Sequence, residues 1–175
     1  ELKRIGYQTG SGFMTGTPYQ TVADVIEDLA FIKTLEPQIV HITPFLPVTH
    51  TRFEKERSGN GEMNLYLMAI VRLLLPTVLL TADPALENVL ADARRKSFDA
   101  GANEVFASLA SDEVKDYYNV YNKKLTRKNC SGDDVARMLT KIEESGYIAA
   151  SGTGDYIPLP EKEKLYGQFH RIMRP

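Results

Sequence analysis

Apolar and polar positions along the first two thirds of the chain predict strands and helices in alternation. Residues 7–14 have a strand pattern that ends in glycines. A helix follows, because Thr21 is a suitable N-cap and Asp24 stands where the partner of an imperfect capping box belongs. The pattern predicts further strands at 38–43, 77–82 and 104–107 and further helices at 64–75 and 85–100.

Two of these helices have patterns that predict how they are buried. In the first, apolar residues at helical spacing predict one buried stripe, formed by Val22, Val25, Ile26, Leu29 and Ile32. The helix 64–75 is apolar on nearly every face, so we expect it to be largely buried.

Four β–α units at short spacing indicate a parallel sheet wrapped by helices. Right-handed crossovers leave two architectures, an open doubly wound sheet or part of an eight-fold barrel.

The two ends of the chain depart from this alternation. Residues 2–5 followed by Gly6 have the character of the last turn of a helix, so we expect further chain upstream. Beyond the fourth strand, two helices are predicted, one capped by Ser111 and one by Ser131, and a short strand is predicted at 147–150. The second helix carries its apolar residues at Val135, Met138, Leu139 and Ile142 and stops at Gly146.

Composition limits the class of protein. A formal net charge of -2 with dispersed lysines and arginines gives no nucleic-acid footprint. The one cysteine, Cys130, excludes an internal disulfide framework and a cluster held by several cysteines of this chain alone. The apolar run 65–75 is far shorter than the ~20 residues of a membrane span, and residues 1–6 have no signal-peptide character. We therefore expect a cytoplasmic protein with neither a membrane nor a nucleic-acid partner.

Three glycines at the end of the first strand invite a dinucleotide-binding interpretation. Gly10, Gly12 and Gly16 have the spacing G-x-G-x-x-x-G, which is one residue longer than the phosphate fingerprint. The helix start at Thr21 lies too far past Gly16 for that glycine to pack the helix against the strand. No acidic residue follows the second strand to hold a ribose. We favour a strand where backbones crowd and small residues make room for a ligand.

The glycine strand resembles one enzyme family. The run 5–21, IGYQTGSGFMTGTPYQT, is similar to the fifth strand of HydE-type radical S-adenosylmethionine enzymes. Four more features follow in the order of that family: an acidic helix at 24–31, the segment Pro44-Phe45-Leu46-Pro47, the run 71–76 and the triplet 101–103. Biotin synthase and methylornithine synthase share the outline. The resemblance extends over about residues 2–156.

The resemblance implies an α/β fold, the C-terminal half of a TIM-type (β/α)8 barrel (units five to eight) plus a small helical C-terminal cap. Residues 1–110 would form the half-barrel, 111–157 the cap and 158–175 a tail. S-adenosylmethionine and a 4Fe–4S cluster would be bound in the full-length parent, whose cluster-binding cysteines lie in the missing N-terminal half. The implied partners are that half-barrel, a small-molecule substrate and, through open sheet edges, a second copy of the chain.

The resemblance also implies which residues meet the two ligands. The residues expected at the cofactor are Gly10, Gly12, Phe13, Met14, Gly16 and Phe106. Those expected at the substrate are Asp83, Pro84, Tyr118, Tyr121 and His50. Plain structural roles are open alternatives: tight packing for the glycines, a helix start for Asp83 and Pro84, and core positions for the tyrosines. No residue is assigned a catalytic or metal-binding role.

The chain departs from the family pattern at several positions. Asp83 and Pro84 replace two threonines that contact substrate in relatives, and a carboxylate there changes the charge of the pocket. His41 stands mid-strand, where relatives tend to have a small residue. In the cap, Cys130 matches the first of three cysteines that hold a second cluster in relatives. The other two places carry Met138 and Lys141, so that cluster cannot form here.

Two functional interpretations remain. The first is part of an enzyme that cleaves S-adenosylmethionine reductively, with a role in iron-only hydrogenase cofactor maturation; this chain alone should be inactive. The second is a non-catalytic scaffold or binding protein, which the departures at 83–84 and 106–108 favour. The intact glycine strand favours the enzyme. A phosphate-binding α/β domain is a third option, and it would require an anion site at the start of the helix after Gly16.

Overall fold

The computed structural model describes residues 1–106, 132–150 and 154–158. Its centre is a parallel sheet of three strands in the order β1-β2-β3, where β1 is Gly10–Thr15, β2 is Ile39–Pro44 and β3 is Leu79–Leu80. One parallel bridge between Thr81 and Glu104 extends the sheet at the far side of β3. The predicted fourth strand is therefore reduced to a single pairing in the described residues. Consecutive parallel order is compatible with a section of a barrel.

Helices connect and flank the strands. A short 3-10 helix, Lys3–Ile5, precedes β1 and ends at Gly6, whose φ of 92° is the left-handed cap that the sequence predicts. The α-helices are α1 (Val22–Leu35), α2 (Gly61–Leu74), α3 (Ala93–Asp99) and α4 (Gly132–Glu144), and a second 3-10 helix spans Pro84–Asn88.

The first two α-helices begin where side chains satisfy their free backbone amides. At α1, the Thr21 hydroxyl accepts from the Asp24 amide and the Asp24 carboxylate accepts from the Thr21 amide, so the capping box is complete. At α2, the side chain of Asn60 accepts from the amides of Glu62 and Met63. This cap starts α2 three residues before the predicted position.

The prediction of one helix over residues 85–100 is wrong. The segment is divided into the 3-10 helix Pro84–Asn88 and α3. Asp92 separates them with φ 53°, a left-handed conformation that no continuous helix contains. The predicted strand 147–150 is also absent: this stretch follows α4 without forming a ladder. Tyr147 instead packs its ring 5.1 Å from that of Phe98 and donates a hydrogen bond to Asp99.

The core lies on one face of the sheet. Successive side chains of a strand point to opposite faces, and the buried set Val40, Ile42, Leu80 and Ala82 belongs to the same face. Helical residues cover this face, and they are Ile32 of α1, Leu67, Met68 and Val71 of α2, Phe98 of α3 and Ile142 of α4. Of the predicted apolar face of α4, Ile142 and Met138 pack in the core, whereas Leu139 is 39% exposed.

Two burial predictions require correction. In α1, Val25, Leu29 and Ile32 face the core, but Val22 and Ile26 are 75% and 59% exposed. In α2, Met63, Tyr66 and Leu73 are exposed, so this helix is buried on one side only. The cause is the same in both helices: the sheet covers one flank, and no other described element packs on the opposite flank.

Candidate functional site

The second face of the sheet is mainly polar. It carries Gly10, Gly12 and Met14 of β1, His41 and Thr43 of β2, and then Thr81 and Asp83 after β3, with Glu104 beyond them, and its first rung also holds the apolar Ile39 and Leu79. We call these residues the polar face. Gly12 and Met14 are exposed, whereas Thr81 and Asp83 are buried. The face therefore forms a surface that deepens from the β1 side toward the Thr81 side.

Strand register brings two of these residues together. The Thr81 amide donates to the Val40 carbonyl at 3.1 Å, which sets Thr81 beside His41 and Asp83 beside Thr43. His41 reaches diagonally across this ladder, and its Nε2 lies 2.9 Å from Oδ2 of Asp83. Both atoms are buried, and neither forms a hydrogen bond of standard geometry in the described part of the chain. The ion-pair contact is therefore what satisfies them.

The two partners shift each other's protonation toward the charged pair. Contact with the Asp83 carboxylate raises the pKa of His41, although burial alone would lower it. The negative charge of Glu104 also raises this pKa. Burial would raise the pKa of Asp83, but its contacts with His41, the Thr43 hydroxyl and the Ala85 amide outweigh burial and lower that pKa. Each partner therefore favours the charged form of the other.

Asp83 is fixed on both of its oxygens. Its Oδ1 accepts from the Ala85 amide at 2.8 Å, as the N-cap of the 3-10 helix Pro84–Asn88. The predicted role of Asp83 and Pro84 as a helix start is thus confirmed. Its Oδ2 faces His41. The Asp83 carboxylate therefore both caps the 3-10 helix and contacts His41. Only 6% of the Asp83 side chain is exposed, so the imidazole is held against a rigid partner.

A second polar contact lies beside the first. The Thr81 hydroxyl donates to Oε2 of Glu104 at 2.7 Å. Thr81 is fully buried, and its neighbours across the sheet are His41 on one side and Glu104 on the other. The imidazole of His41 and the carboxylates of Asp83 and Glu104 thus lie at neighbouring positions of the polar face.

Gly12 makes the closest backbone approach in the sheet. A Cβ built on Gly12 would lie 1.9 Å from the carbonyl oxygen of His41, so no side chain fits there. At Gly10 a Cβ would meet Ile39 at an ordinary 3.7 Å. The backbone of Gly12 therefore lies exposed and directly beside His41. This close approach of two strands is what the glycine pattern of the sequence predicts.

The structure brings together only some of the predicted ligand residues. Gly10, Gly12, Met14 and Asp83 lie on the polar face, but Phe13 alternates to the other face and packs against the core. That placement removes Phe13 from the set that could line a ligand there. Gly16 follows β1 directly, with φ 72°, and packs against Gly59, which lies in the loop between β2 and α2.

The other predicted ligand residues lie away from this cluster or outside the description. Phe106 is exposed just past the bridge at Glu104. His50 is exposed in the loop after β2, with φ 64° and its amide bonded to Glu54. Tyr118, Tyr121 and Cys130 lie outside the described residues. In the part that is described, no three His, Cys, Asp or Glu side chains are arranged so that they could hold a metal ion.

Sequence reasoning noted both His41 and Asp83 but missed their contact. Each was identified singly as a departure from the family pattern. Forty or so positions separate them in sequence, and only the β2–β3 register makes them neighbours. One signal was present: both residues fall on the same alternation of their strands, opposite to the apolar positions Val40, Ile42 and Leu80.

Comparison with known proteins defines the class. No family model matches the chain. It is 32% identical over 124 residues to the [FeFe] hydrogenase maturase subunit HydE of Thermotoga maritima, which covers 71% of this chain and 36% of that protein. It is 28% identical over 144 residues to the 3-methylornithine synthase of Methanosarcina acetivorans, which covers 82% of this chain and 39% of that protein.

These relatives belong to the radical S-adenosylmethionine family, and this chain is homologous to part of them. Within the family it resembles HydE, as its glycine strand indicates. The chain spans somewhat more than a third of the length of the curated relatives it matches. No helix in the described ranges is long and apolar enough to cross a membrane.

Proposed function

We propose that this chain is the C-terminal part of a HydE-like radical S-adenosylmethionine enzyme and that its polar face forms one wall of the pocket for cofactor and substrate. The proposal rests on the homology to HydE and 3-methylornithine synthase. It also rests on the one-sided burial of the sheet, because helices cover one face and exposed backbone and polar side chains occupy the other. A section of a (β/α) barrel likewise has its helices on the outer face of the sheet only.

The cluster of such an enzyme does not fit the residues of this chain. A 4Fe–4S cluster is held by several thiolates, and the sequence contains one cysteine. Cluster ligands would have to come from elsewhere in a longer protein. We therefore assign this chain no part in holding iron.

S-adenosylmethionine does fit the residues present. Gly12 is exposed and carries no side chain, so its backbone is open to a flat ligand on the polar face. Met14 adds an exposed apolar side chain on the same face, and His41 supplies a hydrogen-bonding ring beside Gly12. When bound to a reduced cluster, S-adenosylmethionine supplies the radical that removes hydrogen from a substrate. The residues of this chain would bind and orient the two ligands and exclude water.

The finer proposal is a role in maturation of the iron-only hydrogenase cofactor. The printed name of the Thermotoga maritima relative supports it. The scaffold alternative is supported by one observation, the ion pair His41–Asp83, which introduces charge into the proposed pocket.

The test is S-adenosylmethionine cleavage by the protein in its full natural length, reconstituted anaerobically and reduced. We expect 5′-deoxyadenosine to form. Gly12→Val should lower its rate strongly, while Arg95→Leu, at an exposed position of α3 away from the polar face, should leave it close to wild type. Absence of 5′-deoxyadenosine from a protein that carries its cluster would contradict the enzyme and favour the scaffold.

A further inference from the structure

We propose that His41, held by Asp83, is a ligand-positioning residue that donates a hydrogen bond from its second ring nitrogen to an acceptor group of S-adenosylmethionine. The inference rests on the proposed function and extends it to a residue to which neither the resemblance nor the relatives' names assign a role. The ligand class is a nucleoside-amino acid with carboxylate, hydroxyl and ring-nitrogen acceptors.

The first step of the argument is geometric. Nε2 of His41 is buried against Asp83, yet 44% of the side chain is exposed. The exposed part of the side chain therefore lies on the polar face, away from the contact with Asp83. A histidine whose one nitrogen is fixed by a carboxylate presents its other nitrogen in a set orientation.

The second step is position. His41 pairs with Gly12 in the β1–β2 ladder. No side chain at Gly12 screens the imidazole from a ligand lying over β1. A ligand that uses the bare backbone of Gly12 as its platform therefore comes within reach of His41.

The third step is charge. Among the described residues, the titratable groups that face His41 are Asp83 and Glu104, and both are acidic; its other neighbours on the polar face, Gly12, Ile39, Thr43 and Thr81, do not titrate. Both carboxylates favour the imidazolium, which carries a proton on each nitrogen. The neutral ring, with its proton on the nitrogen facing Asp83, offers the ligand only an acceptor. Donation to the ligand therefore depends on protonation.

The experiment is the affinity of the full natural-length protein for S-adenosylmethionine, measured by calorimetry between about pH 5.5 and 9. Because a hydrogen bond from a charged donor is lost when His41 deprotonates, we expect binding to weaken about tenfold as pH rises through the pKa of His41. His41→Gln should bind weakly throughout and lose this dependence. Asp83→Asn should move the midpoint to lower pH.

The matched control is Asp99→Asn, which removes an exposed carboxylate of α3 that lies 4.0 Å from Arg95. It should leave the pH dependence unchanged. Histidine ring NMR on the same proteins gives a second readout, because the pKa of His41 should be raised from the ordinary histidine value and its signal should shift when S-adenosylmethionine is added.

Outcomes separate the two proposals. Wild-type binding that is pH-independent, with His41→Gln unchanged, would overturn the role of His41 and leave the proposed function standing. Absence of S-adenosylmethionine binding by the wild type at every pH would overturn both.

Discussion

The side chain of Arg72 ties the end of α2 to the turn that precedes Glu104. Its Nε donates to the Gly101 carbonyl at 2.8 Å, and its two terminal nitrogens donate to Pro76 and Asn103 at 2.9 Å each. Burial lowers the pKa of Arg72 to about 10, because loss of water disfavours the charged guanidinium. Asn103 in turn accepts from the Leu80 amide. This one arginine thus holds the edge of the sheet on which the polar face depends.

Replacing Arg72 should destabilise the fold. Arg72→Leu leaves the carbonyls of Gly101 and Pro76 without their donor, and we expect a loss of about 2–3 kcal/mol in the free energy of unfolding. Urea denaturation measures it. Arg95→Leu removes only an exposed contact at 4.0 Å, so its cost should stay below about 1 kcal/mol. Equal losses in the two variants would show that Arg72 is not a structural tie.

Gly12 should tolerate substitution far less well than Gly10. In Gly12→Ala the new methyl would lie 1.9 Å from the His41 carbonyl, which forces β1 away from β2, whereas in Gly10→Ala it meets Ile39 at 3.7 Å. We expect Gly12→Ala to cost about 1–3 kcal/mol as an overpacked site. Thermal unfolding compares the two variants. A Gly12→Ala protein as stable as Gly10→Ala would mean that the strands are not this close.

Asn64 is a buried amide that is only half satisfied. Its Nδ2 donates to the Thr15 hydroxyl at 3.2 Å, while its Oδ1 has no partner within the described residues. Asn64→Leu removes the free-energy cost of burying the unpaired Oδ1. Thr15 keeps its contact with the Thr43 carbonyl at 3.4 Å. We expect stability to change by less than about 1 kcal/mol, or to increase. A loss of several kcal/mol on urea denaturation would indicate a water or ligand bonded to Oδ1.

The ion pair should make stability depend on pH in a defined window. The pKa of His41 is raised, so its contribution is full below its unfolded value and is lost as pH rises through the folded pKa. The pKa of Asp83 is lowered, so its contribution is present above its unfolded value and is lost as pH falls through the folded pKa. Asp83→Asn should therefore cost most between about pH 4 and 6.5.

Because His41 is partly exposed, that cost should be only about 1 kcal/mol. It is measured by denaturation at a series of pH values. A cost that stays constant across the whole range would contradict the charged pair.

Local signals in the sequence predicted local structure well. The Thr21–Asp24 capping box, the left-handed Gly6 and the order of strands and helices were predicted because each depends on residues that are close in sequence. The break at Asp92 was not predicted, since only its left-handed φ reveals it. Exposure of Val22 and Ile26 depends on which elements pack nearby, and helical periodicity alone does not contain that information.

In the candidate site, too, the sequence predicted some positions but not the long-range contact between them. The resemblance pointed to Gly12, Met14 and Asp83, and these lie on one face. It also pointed to Phe13, which strand alternation sends to the core. The contact between His41 and Asp83 comes from the register of β2 against β3, a long-range pairing that no spacing rule supplies.

Iron content tests the central claim most directly. The protein in its full natural length is reconstituted anaerobically, and its iron and mass per chain are measured. About four irons per chain, held by cysteines outside this segment, are expected of a radical S-adenosylmethionine enzyme with one 4Fe–4S cluster. A full-length protein that takes up no iron would contradict catalysis by this route and leave the scaffold interpretation in its place.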